Sequence, residues 1–355
     1  MIRRIFACSI ISVILISLCS CGLYDNGKDD GVIRAGVLVW KYSDTYGSAV
    51  RLAMKKYVAE FEEEKGVKIK LEMQDGNDDQ ATQNNQADVM FASGKDIVII
   101  NLCDVSAGSY IKDLAMKSDV PILFYNTEPS DSSLITDTSS LFIGTKPEEA
   151  GIKQGEIFDE LYKNDPSSID KNGDGRIDYL MFMGPTNNSE AIARTKYSID
   201  TATELGYEMH PLVSDQICNW DTAAAQEAMQ AQIAALGADK IECVFCNNDD
   251  MAIGVIAALN NVGYNLSNET DSSKIITVLG VDATDTALEY IRAGKLAGTV
   301  MQDADSMGKA IVTIACNKAQ GKDYLEGTDY EISEDGFSVR IPYAKITKNN
   351  IDISD

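Results

Sequence analysis

Histidine is nearly missing: His210 stands alone among 355 residues. It sits at a strand start in "EMHPLV", a structural place more than a catalytic one. The chain also lacks a nucleophile elbow, a phosphate-cradling glycine loop and any zinc-ligand spacing. These absences argue against an enzyme. Basic residues are short as well, with 31 Lys and Arg against 55 Asp and Glu, for a net charge of −24. Phosphate binding needs a basic face, so nucleic acid is excluded as a partner, and so is charge-driven binding to anionic lipid. Cysteine cannot build a complete disulfide framework. Of eight, Cys8, Cys19 and Cys21 fall in the first 21 residues, leaving an odd five. Cys243 and Cys246 form a C-x-x-C, but three residues apart on a strand they point to opposite faces and read as buried thiols. Long apolar runs are absent too, except one.

That one is "IFACSIISVILISL" at 5–18, preceded by Arg3-Arg4. It is shorter than the roughly 20 residues a membrane span needs, and suits a signal h-region. It ends in Leu18-Cys19-Ser20-Cys21, which resembles a bacterial lipoprotein signal cut before Cys21, with lipid on that sulfur. A cut before Cys19 would leave bulky Leu18 beside the cleaved bond. A plain secretory signal or a short anchor is the alternative. Residues 21–31 read as a polar tether. The expectation is an exported chain, lipid-anchored to the outer face of the cytoplasmic membrane. Loss of the leader removes two arginines, leaving 29 basic residues against 55 acidic.

What is present is a folding pattern. A hydrophobic content of 45% with 24% charged residues is ordinary for a globular protein, and the length predicts two domains. Apolar runs at 32–40, 68–73, 96–101 and 120–126 alternate with helical patterns near 47–65 and 79–93. After a less regular segment around 127–147, a second series runs through 179–184, 209–214, 241–246, 275–282 and 296–303. Its helices are expected at 189–205, at 221–236 and from 250. Alternation of this kind predicts α/β architecture, two doubly wound parallel-sheet lobes covered on both faces. Ligands of such sheets bind outside the carboxyl ends of the strands. Those ends carry Trp40 to Asp44, Asn101, Asn126, Asn247 to Asp249, Asp282, and Gln302-Asp303. A lone Asn there is commonly a helix cap. Planar amides and carboxylates at successive strand ends instead fit the neighbouring hydroxyls of a sugar, with Tyr42, Tyr46 or Trp220 against its C–H faces and Arg194 nearby.

A second motif is "DKNGDGRID" at 170–178. Asp170, Asn172, Asp174 and Asp178 match positions 1, 3, 5 and 9 of a helix–loop–helix calcium loop. Gly175 matches position 6 and the Arg176 carbonyl position 7. Position 12, where that motif has a bidentate Glu, is Met181.

"YSDTY", "ILFYNTEPS", "DKNGDGRID", "NWDTA", "NNDDMAIG", "VLGVDAT" and "AGKLAGTVMQDA" follow the order found in the galactose/glucose-binding proteins. Those are periplasmic-type receptors of bacterial sugar ABC transporters, and the resemblance runs from Val32 to the end. It implies a type I periplasmic binding protein-like fold with a three-segment hinge near 143–145, 302–304 and 337–341. One lobe would take 32–143 plus 304–337, the other 146–302 plus 341–355. It implies a monosaccharide site of Asp44, Tyr46, Asn126, Arg194, Trp220, Asn248 and Asp282, with Tyr46 and Trp220 sandwiching the ring. Asn188, Glu190 and Gln302 stand where the family has His, Asp and Asn, changes that alter discrimination among hydroxyl patterns. It also implies a structural Ca²⁺, completed by Glu242. The implied partners are a permease, or a chemoreceptor or sensor kinase, for a monomeric receptor.

Overall fold

The computed structural model describes residues 31–351. The leader, Cys21, all of the tether but Gly31, and residues 352–355 lie outside the described residues. The first lobe runs β1 (Val32–Val39), α1 (Thr45–Lys65), β2 (Lys68–Asp75), α2 (Gln80–Ala92), β3 (Ile97–Ile100), α3 (Ser109–Ser118), β4 (Ile122–Tyr125), the single-turn α4 (Ser133–Thr136) and β5 (Phe142–Gly144). The second runs α5 (Pro147–Asn164), β6 (Arg176–Met183), α6 (Ser189–Glu204), β7 (Glu208–Pro211), β8 (Gln216–Ile217), α7 (Thr222–Leu236), β9 (Cys243–Cys246), α8 (Asp249–Asn260), β10 (Thr277–Asp282), α9 (Asp285–Arg292) and β11 (Gly298–Gln302). The chain then returns to the first lobe for α10 (Ala304–Ala319) and β12 (Ser338–Arg340), and ends in the second with β13 (Tyr343–Thr347).

The first sheet is ordered β2-β1-β3-β4-β5-β12 and is parallel throughout. The second is ordered β7-β6-β9-β10-β11-β13, with β8 also on β6. Continuous apolar runs form these strands because both faces are covered. On β3, Ile97 and Ile99 join the core under α1 and α10, while Val98 and Ile100 face the opposite core with Phe124 and Phe91. On β9, Val244 and Cys246 lie in one core, Cys243 and Phe245 in the other. Both thiols of the C-x-x-C are therefore buried on opposite faces, and burial pushes the Cys243 thiol up.

One strand runs against the parallel order, and one expected boundary is corrected. β13 pairs antiparallel with β11, because it enters from the other lobe and not through a crossover helix. β12 pairs with β5, so 338–340 belongs to the first sheet, and the third crossing falls at Ile341-Pro342 instead of starting at 337. The other two crossings fall between Gly144 and Pro147 and between Gln302 and Ala304.

Candidate functional site

The carboxyl ends of the two sheets face each other across a cavity of about 340 Å³. All ten side chains expected to touch the sugar line it: Asp44, Tyr46 and Asn126 from the first lobe, and Asn188, Glu190, Arg194, Trp220, Asn248, Asp282 and Gln302 from the second or its hinge. Three of them begin helices. Asp44 caps α1 at Gly47, Asn188 caps α6 at Ala191, and Asn248 caps α8 at Met251. Each spends one oxygen on the helix, so Asp44 Oδ1 and the two amide nitrogens take no part in the caps. A capping residue can thus also line the cavity, where the helix N-terminus adds a favourable dipole for oxygen acceptors.

Backbone shape supplies the rest. Asn126 (φ 61°) and Trp220 (φ 66°) sit in the left-handed region, and Asp282 is held at φ 122°. The Trp220 indole lies on the bare Cα of Gly184, where a Cβ would come within 2.5 Å of the ring. The Arg194 guanidinium lies 5.7 Å from the ring centroid.

Arg194 is the hub. Its Nη1 donates to the Asn247 carbonyl at 2.8 Å and lies 3.5 Å from Asp282 Oδ1. Its Nη2 donates to Gln302 Oε1 at 2.8 Å and to Tyr343 Oη at 2.9 Å, and lies 3.3 Å from Glu190 Oε2. Burial works against its charge, but Tyr343, Glu190 and Asp282 more than offset that and raise its pKa. The Asp282 carboxyl is pushed well above the usual carboxylate range by burial. Arg194 only partly opposes this, while Asp249, Asp44 and Asp250 add to it. Asp44 is raised by burial too. Two buried polar atoms at the cavity wall have no protein partner, Tyr46 Oη and Arg194 Nε.

Glu190 lines the cavity yet spends both oxygens on the crossings. Thr145 Oγ1 donates to Oε1 at 2.8 Å and Tyr343 Oη to Oε2 at 2.9 Å. Gln302 Nε2 approaches Asn126 Oδ1 at 3.3 Å across the lobes. On the rim, Thr45 Oγ1 donates to Asp250 Oδ2 at 2.7 Å, a second bond between lobes. Sequence reasoning did not single out Asp78, Asn187 and Asn219, which also line the cavity, nor Thr145 and Tyr343 behind it. Asp78 follows the end of β2, so the strand-end rule that found the others could have found it.

His210 is not at this cavity. Its Nδ1 lies 2.8 Å from Asp178 Oδ1, at the amino ends of the second sheet where the 170–178 loop sits. Asp170 accepts from Gly173 N at 2.8 Å and Gly175 N at 3.0 Å, Asn172 from Asp174 N at 2.8 Å, and Asp174 from Arg176 N at 2.9 Å. Glu242 arrives from just before β9 and caps the loop, Oε1 accepting from Lys171 N and Oε2 from Asp178 N, both at 2.9 Å. The donors are the hard oxygens that Ca²⁺ prefers. They face the loop's own amides here, and among the described residues no three His, Cys, Asp or Glu side chains converge as a metal-binding group.

Two doubly wound lobes, three crossings and a polar cleft between facing strand ends define a two-lobed binding protein of type I. Residues 35–323 match the family model described as a periplasmic binding protein domain, and the chain belongs to that family. It is 34% identical over 319 residues to the D-galactose/methyl-galactoside binding periplasmic protein MglB of Haemophilus influenzae, with 90% of each chain covered. It is 26% identical over 310 residues to a putative rhizopine-binding protein of Rhizobium meliloti, covering 87% of this chain and 88% of that one. An ABC transporter solute binding protein from Bacillus halodurans with bound myo-inositol superposes with TM-score 0.73, at 23% identity, over 92% of this chain and 98% of that one. A periplasmic solute binding protein from Actinobacillus succinogenes with bound D-allose does so with TM-score 0.73, at 17% identity, over 90% and 99%. These two likenesses speak to the fold.

Proposed function

We propose that this protein is an extracytoplasmic receptor for a monosaccharide of the galactose/glucose type, which closes around the sugar and hands it to an ABC transporter permease. The observation that carries this reading is one cavity walled from both lobes by planar amides and carboxylates, with Tyr46 and Trp220 as its aromatic surfaces. A sugar hydroxyl both donates and accepts, so it matches Asp44, Asp282 and the capping amides that line the cavity. Contact with both lobes favours the closed state over an open one, because only differential contact can shift that equilibrium. Micromolar affinity is about −8 kcal/mol, within reach of such a set. Export and anchoring through Cys21 belong to the same reading, checked by loss of the membrane-bound form in Cys21→Ala.

A thermal-shift panel of monosaccharides tests it. D-galactose or D-glucose at 100 times its dissociation constant should add about 2.7 kcal/mol of stability. No shift with any monosaccharide would sink the reading.

For the 170–178 loop, the proposal is one structural Ca²⁺ held by Asp170, Asn172, Asp174, Asp178 and Glu242 side chains with the Arg176 carbonyl. Glu242 supports it, being a buried carboxylate brought onto an acidic loop from elsewhere in the sheet. Chelator-stripped protein should take up one Ca²⁺ per chain and melt higher, and Glu242→Gln should lose most of that uptake. Calorimetry showing no uptake by the unmodified protein would refute the site.

A further inference from the structure

Asp249 follows the cavity-lining Asn248 but is itself fully buried and does not line the cavity. Its Oδ2 accepts the Thr284 N–H at 2.8 Å and its Oδ1 the Thr299 hydroxyl at 2.6 Å. Space for it exists only because residue 280 is glycine, since a Cβ there would stand 2.2 Å from Asp249 Oδ1. Gly280 and Asp282 are two apart on β10 and share a face of the sheet. The carboxylate is thus threaded beside β10, on the side from which Asp282 rises.

The turn it holds is strained. Asp282 at φ 122° and Ala283 at φ 59° are followed directly by Thr284, whose N–H Asp249 clamps. Such backbone is disfavoured and persists only where its surroundings over-determine it. Asp249 is also costly in itself, because burial pushes its carboxyl up to about 7 despite the bonds from Thr299 and Thr284. A group that expensive, at a place an apolar side chain could fill, calls for a role.

We propose that Asp249 is the positioning residue of the binding cleft: by clamping Thr284 N–H against β11 it holds the Asp282–Ala283 turn, and so aims the Asp282 carboxylate at the ligand. The binding half of this rests on the sugar reading above; the positioning half does not. Asp249→Ala combined with Gly280→Ala refills the vacated space, because the new Cβ takes the place of the carboxylate. That double variant keeps packing and removes only the clamp. Asp249→Asn keeps it, with the amide oxygen on Thr284 N–H and the amide nitrogen on Thr299.

The test compares the three proteins by amide hydrogen exchange over 280–286 without ligand, and by D-galactose titration of tryptophan fluorescence. The double variant should exchange the Thr284 amide at least about 10-fold faster and bind D-galactose about 10-fold more weakly, the loss of one hydrogen bond to a charged acceptor. Asp249→Asn should stay within about 3-fold of the unmodified protein in both readouts, a difference of under 1 kcal/mol. If the double variant does not fold, Thr299→Val, which removes one anchor, should shift both readouts in the same direction. A folded double variant with unchanged exchange or unchanged affinity overturns the proposal, as does an Asp249→Asn variant as impaired as the double one. If the unmodified protein binds no D-galactose, it is the sugar reading that fails, and the exchange comparison still decides the clamp.

Discussion

Asp282→Asn should weaken binding of the preferred sugar by about 100-fold or more while leaving the protein folded. A buried carboxylate accepting two sugar hydroxyls contributes about 1.5–3 kcal/mol per bond, and an amide cannot replace both acceptors. Asn keeps the shape and tolerates positive φ at least as well as Asp, so the turn survives. The same substitution should leave the unliganded protein no less heat-stable. The Asp282 carboxyl is raised by burial, with only partial relief from Arg194. For a group whose folded pKa is raised, its contribution to stability is fully present below the unfolded value. It is lost as pH rises through the folded value. At neutral pH the unmodified protein therefore carries a cost that Asn removes, and acidification from neutrality toward the carboxylate range should stabilise the unmodified protein more than the variant. Paired melting curves across that range, with a sugar titration at neutral pH, check both halves. Unchanged affinity would remove Asp282 from the site, and with it the cleft assignment.

How much of this was legible beforehand follows from which forces are local. β1 declared itself because "VIRAGVLV" alternates between two buried faces, and α1 because a helical pattern runs through 47–65. α5 is 18 residues long and was passed over, although Pro147 at its start, Glu148 and Glu149 in its first turn and Lys163 in its last are ordinary boundary signals. α10 is buried on most of its surface, from Met307 to Asn317, so its pattern is blurred. β12 is three residues long and exists because β5 offers it an edge, a property of the sheet and not of "SVR". At the cleft the strand ends pointed to the right neighbourhood, since each falls where a parallel sheet presents it. Orientation was not legible. The positive φ of Asn126, Trp220 and Asp282 leaves no mark in the apolar pattern, and that Glu190 turns to Thr145 and Tyr343 depends on distant crossings meeting at one place.

That meeting place makes Arg194 the most consequential side chain in the protein. Arg194→Met should lower stability by about 3–5 kcal/mol, the range for breaking a buried charge pair from one side, because Glu190 and Asp282 then stay buried without their cation. At roughly 2–4 °C per kcal/mol, the midpoint should fall by about 10 °C. Arg194→Lys separates charge from geometry. Lysine keeps a cation near Glu190 and Asp282, but one ammonium cannot reach the Asn247 carbonyl, Gln302 Oε1 and Tyr343 Oη together, which the planar fork does now. Most of the stability should therefore return in Arg194→Lys while sugar binding does not. The reason lies in the topology: Gln302 precedes the second crossing, Tyr343 follows the third, and Thr145 at the first is tied in through Glu190. Arg194 thus fastens the hinge and lines the cleft with the same side chain. An Arg194→Met protein that melts like the parent and binds sugar as tightly would break that link between hinge and cleft.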